Sequence, residues 1–239
     1  TPDYTCPNTA SIVQRKINAA HCMSFDVEAA CSGFLYAIDV AHSMIKGGGH
    51  KKVLVIGAEK LSAFTDYTDR STCILFGDGA GAVVLEGGED IEGDFYLDKE
   101  IAADGELAEI LRIPAGGSVM PINQEALEQH LNYFHMGGSK TFQMAVISMT
   151  NSCRSVMERC GVTKDDIAWA IPHQANERII AAVASRLGMD EKLYRNISRF
   201  GNTSSASIGI CLDELNRNGQ LKRGDLILTA AFGAGLTWA

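Results

Sequence analysis

The sequence predicts an α/β layered fold, on three observations. Short apolar runs of strand length alternate with segments whose apolar residues recur at helical spacing. Several of the strand runs are continuously apolar, as buried strands of a layered sheet are. A strand, a functional residue and then a helix recur in each half, once around Cys31 and again around His173. That recurrence points to an internal duplication, although the halves are not visibly similar in sequence. With 239 residues the chain can bury a large core and hold one large domain or two small ones.

In chain order, Thr9 to Ala20 reads as a helix with Ile12, Val13 and Ile17 on its apolar face. Ser24 to Ala29 reads as a short strand. Ser32 to Lys46 reads as a helix with Phe34, Leu35, Ile38, Ala41 and Ile45 on one face, stopped by Gly47-Gly48-Gly49. Val53 to Gly57 reads as a buried strand. Lys60 to Thr72 is a polar loop, Gly81 to Glu86 a strand before a Gly87-Gly88 turn, and Phe95 to Ile101 a further strand. Gly105 to His135 is irregular and reads as a lid or cap. Lys140 to Cys160 is a long helix ended by Gly161. Ile167 to Ile171 is a strand, Glu177 to Leu187 a helix, Ser205 to Asn216 a helix, and Asp225 to Ala231 a strand.

Bulk properties narrow the function classes. An apolar fraction of 46% and a charged fraction of 21% are ordinary for a globular enzyme. A net charge of −8 argues against nucleic acid as a partner. Seven cysteines form no regular framework and no zinc-ligand spacing, which fits a reducing, cytoplasmic setting and no metal. No apolar run reaches membrane-spanning length, so no membrane partner is expected. Both ends, Thr1-Pro2-Asp3-Tyr4 and Leu236-Thr237-Trp238-Ala239, read as interior sequence of a longer chain.

Cys31 carries the chemistry. Ala29, Ala30 and Gly33 beside it are small, so the backbone can turn sharply and a substrate can approach the sulfur. The helix that follows offers free N–H groups and a positive dipole end, which favour a thiolate. Cys22, Cys73, Cys153, Cys160 and Cys211 lack such a setting and read as core. His173 follows a strand and Pro172; Asn202 stands between Gly201 and Thr203 just before a helix, where an N-cap is the plain alternative. Polar groups at strand ends of an α/β sheet converge on one crevice, so the three together suggest covalent thiol chemistry. Gly77-Asp78-Gly79-Ala80-Gly81 resembles a phosphate loop but runs into a strand, so it reads as close backbone packing. Phe232-Gly233-Ala234-Gly235 is a turn able to present N–H groups to an oxyanion. His130 and His135 are five apart, wrong for one helix face binding metal. Arg178, Arg186, Lys192, Arg195 and Arg199 form a basic group after His173, either a solvated surface or a dock for an acidic partner.

Glu28-Ala29-Ala30-Cys31-Ser32-Gly33-Phe34, Phe76-Gly77-Asp78-Gly79-Ala80-Gly81-Ala82, Pro172-His173-Gln174-Ala175-Asn176, Gly201-Asn202-Thr203-Ser204 and Phe232-Gly233-Ala234-Gly235 together resemble β-ketoacyl-[acyl-carrier-protein] synthase III. The resemblance implies a thiolase-like fold, layered α-β-α-β-α, with two pseudo-duplicated halves at 1–92 and 93–239, and a homodimer. It implies catalytic Cys31, His173 and Asn202, with oxyanion-hole amides on Cys31 and Ala234. Ala234 stands where the family usually has glycine, which keeps the N–H but restricts φ. The resemblance places Arg70 near the nucleotide of coenzyme A, Asn176 near its pantetheine arm, Phe232 beside the nucleophile and Arg178 at the carrier-protein entrance. Cys6 falls where a residue of the partner subunit, often Phe, floors the acyl pocket. The implied reaction joins an acyl-CoA primer to malonyl-acyl carrier protein with loss of carbon dioxide and starts fatty acid synthesis. It needs no cofactor beyond the coenzyme A thioester substrate. The resemblance also implies a strand–helix segment before Thr1 and a last strand after Ala239.

Other readings compete. A starter-condensing enzyme of polyketide or secondary metabolism would carry the same residues with another primer. A truncated, inactive synthase would bind or dimerise only. A thiol protease also uses Cys, His and Asn in that order, and His173 lies 142 residues past Cys31. Its cysteine signature is missing here, and Asn202 sits in a glycine–serine turn.

Overall fold

Glycines and polar caps decide where the apolar periodicity is cut into elements. The computed structural model describes residues 1–88 and 96–239. Helix α1 (Thr9–Lys16) starts at Asn8, whose side chain accepts the Ser11 N–H at 2.7 Å. It ends short of the predicted Ala20 because Asn18 turns to φ 55°. The strand predicted over Ser24 to Ala29 joins no ladder among the described residues. Side-chain bonds hold this stretch instead: the Asp26 carboxylate accepts the Thr9 and Ala10 N–H groups, each at 2.8 Å. A 3₁₀ turn, Ala30–Ser32, leads into α2 (Gly33–Lys46), which closes at Gly47 and the left-handed Gly48.

Strand β1 (Lys52–Lys60) pairs antiparallel with β2 (Asp78–Glu86), Lys52 opposite Glu86. The prediction of a buried strand at Val53 to Gly57 is corrected here. An antiparallel pair alternates its faces, so Val55 is buried while Leu54 and Ile56, with Val84 beside them on β2, are exposed. The predicted strand from Phe95 to Ile101 is also corrected. Phe95 lies outside the described residues, and Tyr96 to Ile101 joins no ladder among them. Ion pairs secure that stretch: Arg159 binds Asp98 at 2.6 Å and Glu100 at 2.8 Å, and Lys99 binds Asp39. A short strand β3 (Ala102–Ala103) follows. The proposed boundary between residues 92 and 93 lies outside the described residues.

The irregular segment is a tethered arch. A 3₁₀ turn, Gly105–Ile110, leads to β4 (Leu111–Arg112); α3 (Gln124–Glu128) follows, and β5 (His135–Met136) returns to pair with β4. His130 Nδ1 lies 2.5 Å from Asp66, and Phe134 stacks on Phe76 at 4.8 Å, tying the arch to the polar loop that carries Arg70.

The second half matches expectation closely. Helix α4 (Gly138–Cys160) stops at Gly161, at φ 65°. Strand β6 (Ile167–Pro172) precedes α5 (Glu177–Leu187), the short α6 (Ile197–Phe200), α7 (Ala206–Arg217) and β7 (Leu226–Ala230), which pairs parallel with β6. Strands β8 (Phe232–Gly233) and β9 (Thr237–Trp238) form a tight hairpin, and β3 adds to β9.

These elements stack in layers. One core joins α4 and α5 to one face of β6–β7 through Met149, Val183, Ala170 and Leu228. A second core joins the other face, at Ile171 and Ala231, to α2, α7 and the inner side of β1–β2. The order is α4/α5, β6–β7, α2/α7, β1–β2. Contact between α7 and β1–β2 is backbone to backbone. A Cβ on Gly81 would sit 2.5 Å from the Ile210 nitrogen of α7, and just before β2 one on Gly77 would sit 2.0 Å from the carbonyl oxygen of Phe200 at the end of α6. The glycine run is therefore a packing surface, as its position before a strand predicted. Gly77→Ala should destabilise the fold by about 3 kcal/mol, the upper end of overpacking costs, read as a fall in urea midpoint; an unchanged midpoint would contradict this packing.

Candidate active site

The N-termini of α2 and α7, the two central helices, and the C-terminal ends of parallel β6 and β7 meet at one place. Chain connectivity puts Cys31 before α2, His173 directly after β6, Asn202 four residues before α7, and the turn of Phe232 to Gly235 after β7. Cys31 is half-buried; His173 and Asn202 are buried.

Backbone strain marks both sides of this place. Ala30 (φ 46°) and Ser204 (φ 48°) occupy the left-handed region without being glycine, at a cost of order 1 kcal/mol each. The turn after β7 comes so close that a Cβ on Gly233 would lie 2.6 Å from the Cys31 nitrogen. Thr237 Oγ1 adds a bond to the Ala29 carbonyl at 3.0 Å.

The segment from Asn202 to Ser207 links the groups. The Asn202 N–H donates to the Leu75 carbonyl at 2.8 Å, and its own carbonyl accepts from Gly77 at 2.9 Å. Its side-chain Oδ1 accepts the Ser204 N–H at 2.8 Å, which leaves the amide NH₂ as its outward donor. The Ser204 hydroxyl is near enough to the Cys31 thiol to favour its ionised form. Ser207 Oγ lies 2.7 Å from His173 Nδ1, while His173 Nε2 is buried with no partner. Glu59, near the end of β1, accepts the Ser205 hydroxyl at 2.6 Å.

Burial controls the charge states. It pushes the Cys31 thiol up to about 11; the Ser204 hydroxyl works against that rise and the Glu59 charge adds to it. Burial thus opposes the thiolate that the helix end favours. Burial likewise pushes His173 down to about 4, partly offset by Glu59, so its imidazole is neutral at pH 7. A neutral thiol therefore stands beside a neutral imidazole and a carboxamide donor.

The remaining predicted residues sit around this centre in different ways. Phe232 is buried and Ala234 half-buried in the turn over Cys31. Asn176 caps α5, its Oδ1 accepting the Arg178 N–H at 2.9 Å. Arg178 is exposed, its guanidinium 5.6 Å from the centroid of the Phe142 ring. Arg70 is exposed in the polar loop; Asp66 and Asp69 of the same loop line a groove of about 460 Å³ with Glu109, His130 and His135. Cys6 is exposed, next to a cis bond to Pro7. Sequence reasoning missed Ser204, Ser207 and Glu59. Period-two alternation through Val55 and Gly57 could have placed Glu59 on the inner face of β1; nothing in the serine run separates these hydroxyls from helix caps.

Layers of this order, with a thiol and two neutral donors at the central helix ends, define a thiolase-like condensing enzyme. The sequence profile of 3-oxoacyl-[acyl-carrier-protein] synthase III matches residues 25–105, and that of its C-terminal domain matches 157–239. The β-ketoacyl-[acyl-carrier-protein] synthase III of Chlorobium luteolum is 48% identical over 240 residues, covering 100% of this chain and 73% of the relative. The crystal structure of the synthase III of Aquifex aeolicus is 48% identical with a TM-score of 0.89, covering 100% of this chain and 72% of that one. The priming β-ketosynthase of the R1128 polyketide pathway is 33% identical with a TM-score of 0.88, covering 100% and 70%. This chain belongs to the β-ketoacyl-[acyl-carrier-protein] synthase III family, a group of acyltransferase-type condensing enzymes. No described helix is long and apolar enough to cross a membrane.

Two pH effects follow. Alkylation of Cys31 by iodoacetamide should keep rising about tenfold per pH unit from pH 7 to about 10, since the thiol titrates near 11; a plateau near pH 7 would show a stabilised thiolate. His173 is depressed from 6.5 to about 4, so the unfolded state binds its proton first. Stability from this group is complete above pH 6.5 and falls by about 3 kcal/mol on acidification to pH 4. Urea midpoints of the protein and of His173→Gln, compared across that range, isolate the effect.

Proposed function

We propose that the chain catalyses the decarboxylating condensation of an acyl-CoA primer with malonyl-acyl carrier protein, the step that begins fatty acid synthesis. The supporting observation is the donor character of the site. His173 is neutral with an unpartnered Nε2, and Asn202 keeps only its NH₂ free. Such a pair suits a carbonyl gaining negative charge and is poorly suited to pulling a proton from carbon.

Cys31 sulfur attacks the primer thioester. The carbon–sulfur bond to coenzyme A breaks, the thiol proton ends on the departing coenzyme A sulfur, and the acyl group stays on Cys31. The amides of Cys31 and Ala234 hold the oxyanion, each worth roughly 3 kcal/mol in comparable sites. Malonyl-carrier protein then binds, and His173 and Asn202 donate to its thioester carbonyl. Loss of carbon dioxide leaves an enolate stabilised by those donors as charge develops. The enolate carbon attacks acyl-Cys31, the bond from the acyl carbon to the sulfur breaks to release the 3-ketoacyl product, and the departing Cys31 thiolate takes a proton from solvent. Decarboxylation supplies the carbanion, so no strong base is required.

Arg70, Asn176 and Phe232 are assigned to the coenzyme A side of the tunnel and Arg178 to carrier-protein docking. Cys6 is assigned to the acyl pocket of a partner subunit in a homodimer, where a small side chain leaves room for primers longer or more branched than acetyl. A cytoplasmic setting suits the free thiols. The two similar halves are divided near residue 92. A second reading, a polyketide starter synthase, draws on the 33% identity to the R1128 priming enzyme.

Intact-mass measurement after exposure to a panel of acyl-CoAs separates these readings. An acyl adduct on Cys31 is expected, absent in Cys31→Ala; no adduct with any primer would leave a binding protein only. Use of acetyl-CoA alone would remove the enlarged pocket. Cys31→Ala should keep malonyl decarboxylation. Asn202→Ala should keep acylation and lose decarboxylation by about 10²–10³-fold.

A further inference from the structure

The ring of His173 has two ends with different surroundings. Nε2 is buried without a partner, while Nδ1 lies 2.7 Å from Ser207 Oγ. Ser207 is itself buried, on the second residue of α7. Its oxygen also receives the Gln174 backbone N–H at 3.3 Å. An amide N–H can only donate, so Ser207 must accept there. The oxygen keeps a second lone pair, but among the described residues its single proton has no acceptor other than Nδ1, and donation there satisfies both groups. A neutral imidazole whose Nδ1 accepts carries its hydrogen on Nε2.

The parts around this hydroxyl are fixed. Gln174 is held by its own side chain, whose Nε2 donates to the Pro172 carbonyl at 2.7 Å and to the Tyr194 carbonyl at 3.4 Å, and whose Oε1 accepts the Asn196 N–H at 3.0 Å. Ser207 is held by α7, where the next residue, Ile208, is buried in the core and Gly209 packs on Gly81. The N–H donor and the hydroxyl therefore approach His173 from two elements that do not move independently.

We propose that Ser207 is a positioning residue that fixes His173 in the Nε2–H tautomer and so makes it a hydrogen-bond donor toward the bound thioester. Its kinetic consequence rests on the role given to His173 above; the tautomer itself does not. Without this hydroxyl the ring is free to adopt the Nδ1–H form, whose Nε2 repels a carbonyl oxygen.

Nitrogen-15 NMR of histidine-labelled protein at pH 7, with His173→Gln used for assignment, reads the tautomer directly. The expected result is Nε2–H for His173; an Nδ1–H ring in the unmutated protein would overturn the proposal. Ser207→Ala should admit the Nδ1–H form and slow malonyl-carrier protein decarboxylation about tenfold or more, while acylation of Cys31 by acyl-CoA stays within about threefold. Ser207→Thr, which keeps the hydroxyl, should restore both readouts. Ser207→Ala with an unchanged tautomer and unchanged decarboxylation would also overturn it. If the Nε2–H tautomer is found but His173→Gln decarboxylates normally, the functional reading falls and the tautomer assignment stands.

Discussion

The backbone contact between α7 and the β1–β2 sheet is the constraint on which the site depends. Gly57, Gly81 and Gly209 remove the side chains that would hold helix and sheet apart. Because α7 lies that close, the four residues leading into it and its first turn reach Cys31 and the groups around it. Asn202 is stitched between Leu75 and Gly77, Ser204 reaches Cys31, Ser205 reaches Glu59 and Ser207 reaches His173. One packing surface thus sets several distances at once. The left-handed Ala30 and Ser204 are the local cost of bringing the two strands of chain together.

Burial then decides what those groups can do. A thiol protease pairs a thiolate with an imidazolium, which needs a partly wet site or a charge partner. Here desolvation keeps both groups neutral, and Glu59, the carboxylate that acts on both, opposes thiolate formation. Chemistry that generates its own carbanion by losing carbon dioxide fits such surroundings. General base catalysis does not, since a base titrating near 4 holds protons weakly at pH 7.

Much of the fold was legible in the sequence. Helices ended by glycine were read to within a residue, as at Gly161 and after Leu187, because a left-handed C-cap leaves a strong local signal. Strands were less secure. Val53 to Gly57 looks the same whether one face or both are covered, and Ser24 to Ala29 has strand composition without a ladder partner among the described residues. Pairing is a non-local property, so no local pattern reveals its absence. Motifs placed Cys31, His173 and Asn202 because each sits at an element end beside small residues. Ser204, Ser207 and Glu59 went unread because their roles depend on what the fold brings opposite them. The burial of Cys31 went unread for the same reason: a helix end is local, whereas burial is global.

Neutrality at the centre also separates two kinds of interaction by their response to salt. Fixed dipoles inside a buried site feel little of the mobile ion atmosphere, which acts over about 10 Å at 0.1 M ionic strength. Exposed Arg178 lies within that atmosphere. The carrier-protein encounter proposed for Arg178 is therefore one that added electrolyte weakens, whereas the thioester chemistry proposed at Cys31 lies in a medium the electrolyte does not reach.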